Sequence, residues 1–281
     1  MIKYYFFSIF GVFISTTILG QSNQTNHIKA RFNHLFLVVD STTYAEVTSS
    51  GLLKSMGYSY EKNSSSWQAF YLIGQDNYLE IMHPNSMTDT SITLIPSDNW
   101  TCLASLRAQS MNQFEIDRTV NIEIDQDEQF YNLYPLFKDS IIPMTTWEMR
   151  KKQYESWTGK TYHDSLSFLP VDYNSPADSD SSKAYPIQNI IGIDYKINSD
   201  DTLVIFEYLK LNSYHQSKQL IFSNDSEKFY FQIDSVDHIK VSGIRFRLTD
   251  VHPIQSIKLG NSQFNTSGLS ARWTFDLPDV K

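Results

Sequence analysis

From Phe32 to Val39 the chain is almost continuously apolar (Phe32-Asn33-His34-Leu35-Phe36-Leu37-Val38-Val39), a β-branched and aromatic run that predicts a buried strand. Asp40-Ser41-Thr42 then offers a helix N-cap, and Tyr44, Val47, Leu52 and Leu53 give a helical stripe that Gly57 ends. Short strands are predicted over 58–62, 67–73 and 78–82, the last two joined by the turn Gly74-Gln75-Asp76-Asn77. Within 67–73 the two-residue period places Trp67 and Tyr71 on one face and Phe70 on the other. The unit reads β-α-β-β-β.

Two looser passes follow. Residues 91–95 predict a strand and 100–109 a helix, while 118–125 alternates Val120, Ile122 and Ile124 against polar neighbours, as a half-buried strand does. Residues 144–149 read either as a closing strand or as the start of a helix reaching Trp157. The polar, acidic stretch 171–182, with Pro176, reads as a linker or exposed loop. Beyond it come a strand at 189–197, an amphipathic helix at 201–211, and strands at 219–222, 229–233, 243–248, 257–259 and 271–275. Three passes of one pattern predict an internal repeat. The expected class is α+β, with repeated β-α-β-β-β modules forming curved mixed sheets. Modules are placed at about 32–84 and 90–150 within a domain 32–170, and a third with added C-terminal strands at 187–281, after a linker at 171–186.

The first twenty residues stand apart. Lys3 precedes an uncharged run from Phe6 to Gly20, and the polar segment 21–31 follows. A basic start, an apolar centre and a small residue at the end predict a secretory signal peptide, hence export to a periplasmic or extracellular location without stable membrane insertion. Export favours disulfides, yet Cys102 is the one cysteine and no internal pair can form. Its apolar flanks suit a small buried hydrophobe.

Composition narrows the classes. The 281 residues are 41% hydrophobic, 14% aromatic and 19% charged, which argues for a packed core and against disorder. Net charge is −8, and no basic stripe runs along the chain, so nucleic acid is not an expected partner. Gly260-Asn261-Ser262-Gln263-Phe264 lacks the second glycine of a nucleophile elbow, no HExxH occurs, and the acids of 123–128 lack the glycine and closing glutamate of a calcium loop.

The β-α-β-β-β pattern, with Asn33-His34 opening the first strand, Trp67, Phe70, Tyr71 and Leu72 in the next, and Tyr78-Leu79-Glu80 closing, resembles the glyoxalase, bleomycin-resistance and vicinal-oxygen-chelate superfamily. Trp147-Glu148, Leu259-Gly260-Asn261-Ser262 and Ala271-Arg272-Trp273-Thr274-Phe275 look similar to a sparsely characterised glyoxalase-like family within it. The resemblance implies paired modules whose curved sheets enclose a ligand cavity. It also implies a divalent ion (Zn, Ni, Mn or Fe) held by His34 and Glu80 of the first module and Glu148 of the second, where Glu148 would also serve catalysis. The second module's opening-strand position falls near Ile92-Thr93, which offers no good ligand.

Trp67, Tyr71, Tyr78 and His83 are the expected ligand-lining residues, although core packing is the default role for the aromatics and Glu80, between Leu79 and Ile81, suits a solvent-facing position too. Three functions stay open at this point. One is a metal-dependent lyase, isomerase or dioxygenase acting on a small molecule with adjacent oxygens. Another is a metal-free module that binds or sequesters a small ligand. The third is an interaction protein of the cell envelope. A homodimer is a further expectation of the resemblance.

Overall fold

The computed structural model describes residues 30–64, 67–86, 91–96, 119–121, 129–135, 144–149, 185–211, 214–236 and 239–276, with strand backbones alone between 91 and 149. The first strand, β1 (Ala30–Val38), leads into α1 (Ser41–Ser49) and α2 (Gly51–Met56). Asp40 caps α1 by accepting from the Thr43 amide at 3.0 Å and the Thr43 hydroxyl at 2.6 Å. The single helix expected to Met56 is in fact two. Ser50 is extended, and its hydroxyl accepts from the Leu53 amide at 3.3 Å, ending one helix and capping the next.

Then come β2 (Tyr58–Asn63), β3 (Gln68–Ile73) and β4 (Tyr78–Met82), with β4 parallel to β1. Four more strands follow: β5 (Ser91–Pro96), β6 (Thr119–Asn121), β7 (Gln129–Pro135) and β8 (Met144–Met149). Residues 144–149 are therefore strand and not the start of a helix, and β7 is an element the sequence reading did not include. Together these strands make one open eight-stranded mixed sheet, ordered β2-β3-β4-β1-β5-β8-β7-β6. The leader, the helix expected at 100–109, Cys102 and most of the expected linker lie outside the described residues.

The second sheet is six-stranded and also mixed. It contains β9 (Ile187–Ile197), β10 (His215–Lys218), β11 (Ile221–Ser223), β12 (Lys228–Ile233), β13 (Lys240–Leu259) and β14 (Ser262–Phe275), ordered β10-β11-β12-β9-β13-β14. Helix α3 (Thr202–Leu211) connects β9 to β10. The strand expected at 219–222 is corrected, since Gln219 and Leu220 form the turn between β10 and β11. The strands expected at 243–248 and 257–259 are one strand of 20 residues. His252-Pro253 reads as a break, but pairing with β9 has already ended at Leu248, so the missing proline N–H removes no rung on that side. The class is α+β, with sheet predominant.

One buried cluster joins the sheets. Phe32, Leu35, Leu37, Phe70, Leu72, Leu79 and Ile81 of the first pack with Ile193, Tyr195, Phe229 and Ile244 of the second and with residues of all three helices. Polar contacts fix the alignment. The Asn77 amide donates to the Ile190 carbonyl at 2.9 Å and accepts from the Ile190 N–H at 2.7 Å, so a buried side chain completes a backbone rung. At the β13–β14 turn, the Gly260 amide donates to Glu46 at 2.7 Å and the Asn261 amide to the Thr43 hydroxyl at 2.9 Å.

That turn generates a stability prediction. Gly260 and Gly268 both have positive φ, at 56° and 60°. A Cβ at Gly260 would lie 2.5 Å from the Thr43 Cα and 2.7 Å from its amide nitrogen, whereas one at Gly268 meets nothing within 4 Å. Gly268→Ala is expected to cost about 1 kcal/mol from backbone strain alone. Gly260→Ala adds a clash with backbone that cannot yield, for a total of roughly 2–4 kcal/mol. Urea unfolding of both variants checks the order, and equal losses would contradict the docking of this turn on α1.

Candidate functional site

Pairing between β1 and β5 slips by one residue: Phe32 sits opposite Leu94, but His34 sits opposite Thr93. This bulge lets both Phe32 and Leu35 face the common core while His34, Phe36 and Val38 take the other side. On that side the register places Tyr78 beside His34, Glu80 beside Phe36, and Tyr71 across from Glu80. The result is an aromatic face of Phe36, Tyr71, Tyr78 and their apolar neighbours, with Tyr58, Tyr60 and Trp67 packed against it. As the two-residue period predicts, Trp67 and Tyr71 share this face and Phe70 lies on the other.

The rings are ordered. The His34 imidazole stacks on Tyr78 with centroids 4.7 Å apart and meets Phe36 edge-on at 4.5 Å. Tyr71 stacks on Tyr60 at 4.4 Å, and the Trp67 indole N–H donates to the Tyr71 hydroxyl at 3.2 Å. Such contacts hold each ring where its polar end is needed.

His34 and Glu80 are 1% and 5% exposed. His34 Nδ1 lies 2.7 Å from Asn33 Oδ1, which can only accept, so Nδ1 carries the proton and Nε2 the lone pair. Burial pushes the imidazole pKa down to about 3, leaving it neutral. Burial pushes Glu80 up to about 8; hydrogen bonds from Tyr71 and Tyr78, and the more distant Lys62, recover only part of that cost. Glu80 therefore holds a proton at neutral pH. Its Oε2 has no hydrogen-bond partner among the described residues. The solvent-facing alternative for Glu80 is excluded by this burial.

The other predicted residues are placed as follows. Glu148 lies on β8 opposite Asn132, with β1 and β5 between its strand and that of Glu80, and its side chain lies outside the described residues. His83 follows β4 and turns to α1, where its ring meets Tyr44 edge-on at 5.2 Å, away from the His34 face. Tyr60 and Asn33 complete the arrangement. Tyr60 was not singled out in the sequence, although its place two residues from Tyr58 in a short strand was a usable signal.

With this geometry in view, comparison with known proteins adds little. No family model and no curated protein matches the chain. Among solved structures, a hypothetical protein from Staphylococcus aureus is 12% identical with a TM-score of 0.45, over 82% of this chain and 95% of that one. A xylose isomerase-like TIM barrel/4-hydroxyphenylpyruvate dioxygenase fusion protein is also 12% identical with a TM-score of 0.45, over 73% of this chain and 32% of that one. Both likenesses are loose, and the chemistry rests on the residues of this chain.

The two buried groups act on stability in opposite pH ranges. Between the unfolded value of 6.5 and the folded value of about 3, the unfolded chain binds a proton that buried His34 refuses, so stability falls as pH drops. Between 4.5 and about 8, folded Glu80 keeps a proton the unfolded chain has lost, so stability falls as pH rises. From these two groups the expected profile is level between 4.5 and 6.5 and descends on both sides, by at most about 1.4 kcal/mol per pH unit. Denaturant midpoints across pH check this. Glu80→Gln should abolish the alkaline limb and extend the acid limb up to 6.5, while His34→Gln should abolish the acid limb and start the alkaline limb at 4.5.

Proposed function

We propose that this chain is a glyoxalase-like small-molecule-binding protein whose ligand is received at the aromatic face of the first sheet, beside His34 and Glu80. The observation carrying the reading is that a neutral imidazole and a buried acid share one otherwise aromatic face. What supports the modular part is the order of connections. In each sheet a strand leads through helix to three further strands, the last of them parallel to the first, as β4 is to β1 and β12 to β9. Both opening strands also carry a one-residue bulge just before the residue that pairs with the start of the closing strand, at Asn33 and at Ile191. We read the β5–β8 unit as a further repeat and the space over the aromatic face as the ligand cavity.

The donor set suits a divalent ion. Neutral His34 offers Nε2, and Glu80 offers an oxygen with no hydrogen-bond partner among the described residues. These two would hold the ion, with Glu148 as the second module's candidate. When bound, the ion would polarise a substrate carbonyl or acidify a water, the chemistry behind isomerisation, ring opening or oxygenation. The chain's own residues do the rest. Asn33 orients the imidazole, Tyr71 and Tyr78 orient the carboxyl group, and Trp67 steers the Tyr71 hydroxyl.

A second reading, metal-free binding of a small apolar or aromatic ligand, is favoured by the Tyr71 and Tyr78 hydrogen bonds that already engage Glu80. Elemental analysis of purified protein separates the two. The metal reading expects about one equivalent of Zn, Ni, Mn or Fe per chain, lost in His34→Ala and in Glu80→Gln while the unfolding transition persists. Folded protein that stays metal-free when offered each ion overturns it and leaves the metal-free reading.

A further inference from the structure

The second sheet has a face turned away from the common core. Register places Lys196, Lys228, Lys240, Arg245, Arg247 and Arg272 on the side opposite Ile193, Tyr195, Phe229, Phe246 and Trp273. This concentration of cations belongs to a chain of net charge −8, and it is assembled from four strands. Lys196 pairs with Asp234 at 3.4 Å on this face.

At its centre is a built cluster. Asp194, with its side chain 11% exposed, accepts from Arg245 Nε at 3.1 Å and Nη2 at 2.7 Å through Oδ1, and from Arg272 Nη2 at 2.8 Å through Oδ2. Arg245 and Arg272 are directly opposite each other across β13 and β14. The Arg245 guanidinium also lies 3.9 Å over the Tyr230 ring. Two glycines make room: a Cβ at Gly192 would come within 3.0 Å of the Tyr230 ring, and one at Gly243 within 2.8 Å of Asp194 Oδ2.

Charge balance gives this cluster its meaning. One guanidinium is enough to compensate this buried carboxylate. Here a second is held beside the first, which leaves one positive charge over and adds like-charge repulsion. The arginine side chains remain 37% and 53% exposed, and Arg245 Nη1 and Arg272 Nε and Nη1 bond to no described residue. Donors fixed in direction, with spare positive charge and access to solvent, match a planar or tetrahedral oxyanion.

We infer that Arg245 and Arg272, locked by Asp194 on the outer face of the second sheet, form a binding site for the carboxylate or phosphate group of a small molecule. The site is independent of the His34 face and of any metal. The test is titration of the full chain with inorganic phosphate and, separately, with benzoate at constant ionic strength, followed by calorimetry. Saturable binding of either supports the site, and the tighter of the two identifies the oxyanion. Arg272→Gln leaves the Arg245–Asp194 pair in place and should weaken binding at least about tenfold, the effect of one lost charge-assisted hydrogen bond. Lys210→Gln, an equal loss of charge on α3, should leave it unchanged. No saturation with either anion up to about 10 mM, where even a millimolar site would be mostly filled, overturns the inference. So does equal weakening by the two variants, which would mark a general charge effect.

Discussion

Between Phe32 and His34 two demands on one strand conflict. Phe32, Leu35 and Leu37 all belong to the core shared by the two sheets, yet Phe32 and Leu35 are an odd number of positions apart. A regular strand alternates faces and cannot bury both on the same side. The extra residue at Asn33 resolves the conflict by letting the β1–β5 register slip. From that point onward every side chain of β1 is re-aimed, so the packing of Phe32 against Phe229, rings 6.5 Å apart, decides that His34 joins Tyr78 and Glu80. Asn33 then serves the geometry it creates, since its amide oxygen holds the imidazole proton. The bulge in β9 at Ile191 solves the same problem for Ile190 and Ile193, both core residues.

Burial of both faces of β1, β3 and β4 follows. With the core on one side and the aromatic residues on the other, neither His34 nor Glu80 reaches water, and neutralisation costs less than desolvating a charge. Trp67 donates to Tyr71, and Tyr71 in turn to Glu80, so the polar groups that remain form a chain of hydrogen bonds along an otherwise apolar surface. Such a surface offers no fixed charge of its own.

Period and turn chemistry made much of this legible. The order strand, helix, three strands could be read from 32–82, as could the opposite facing of Trp67 and Phe70, because alternation is a local property. What escaped was set by partners. The break at Ser50 depends on a cap that helices with apolar flanks do not require. The continuity of β13 through Pro253 depends on where β9 stops. Glu80 between two apolar residues suited either face, because alternation separates the faces without saying which of them water reaches. The cations of the second sheet, from Lys196 to Arg272, showed no stripe along the chain, since only strand pairing brings them together.

Glu80 and Asp194 show how the two sheets diverge from a related order of connections. Each carboxyl group lies in the interior of its sheet, within a strand flanked on both sides by others. Glu80 meets the phenol hydroxyls of Tyr71 and Tyr78, which bring no charge, and it retains its proton. Asp194 meets two guanidiniums and forms ion pairs with both. A neutral acid among aromatic rings leaves its face without charge. A carboxylate outnumbered by arginines leaves positive charge directed outward, which suits an anion. One α+β scaffold thus presents one neutral face and one positive face, and the difference rests on whether a cation is paired with the buried acid.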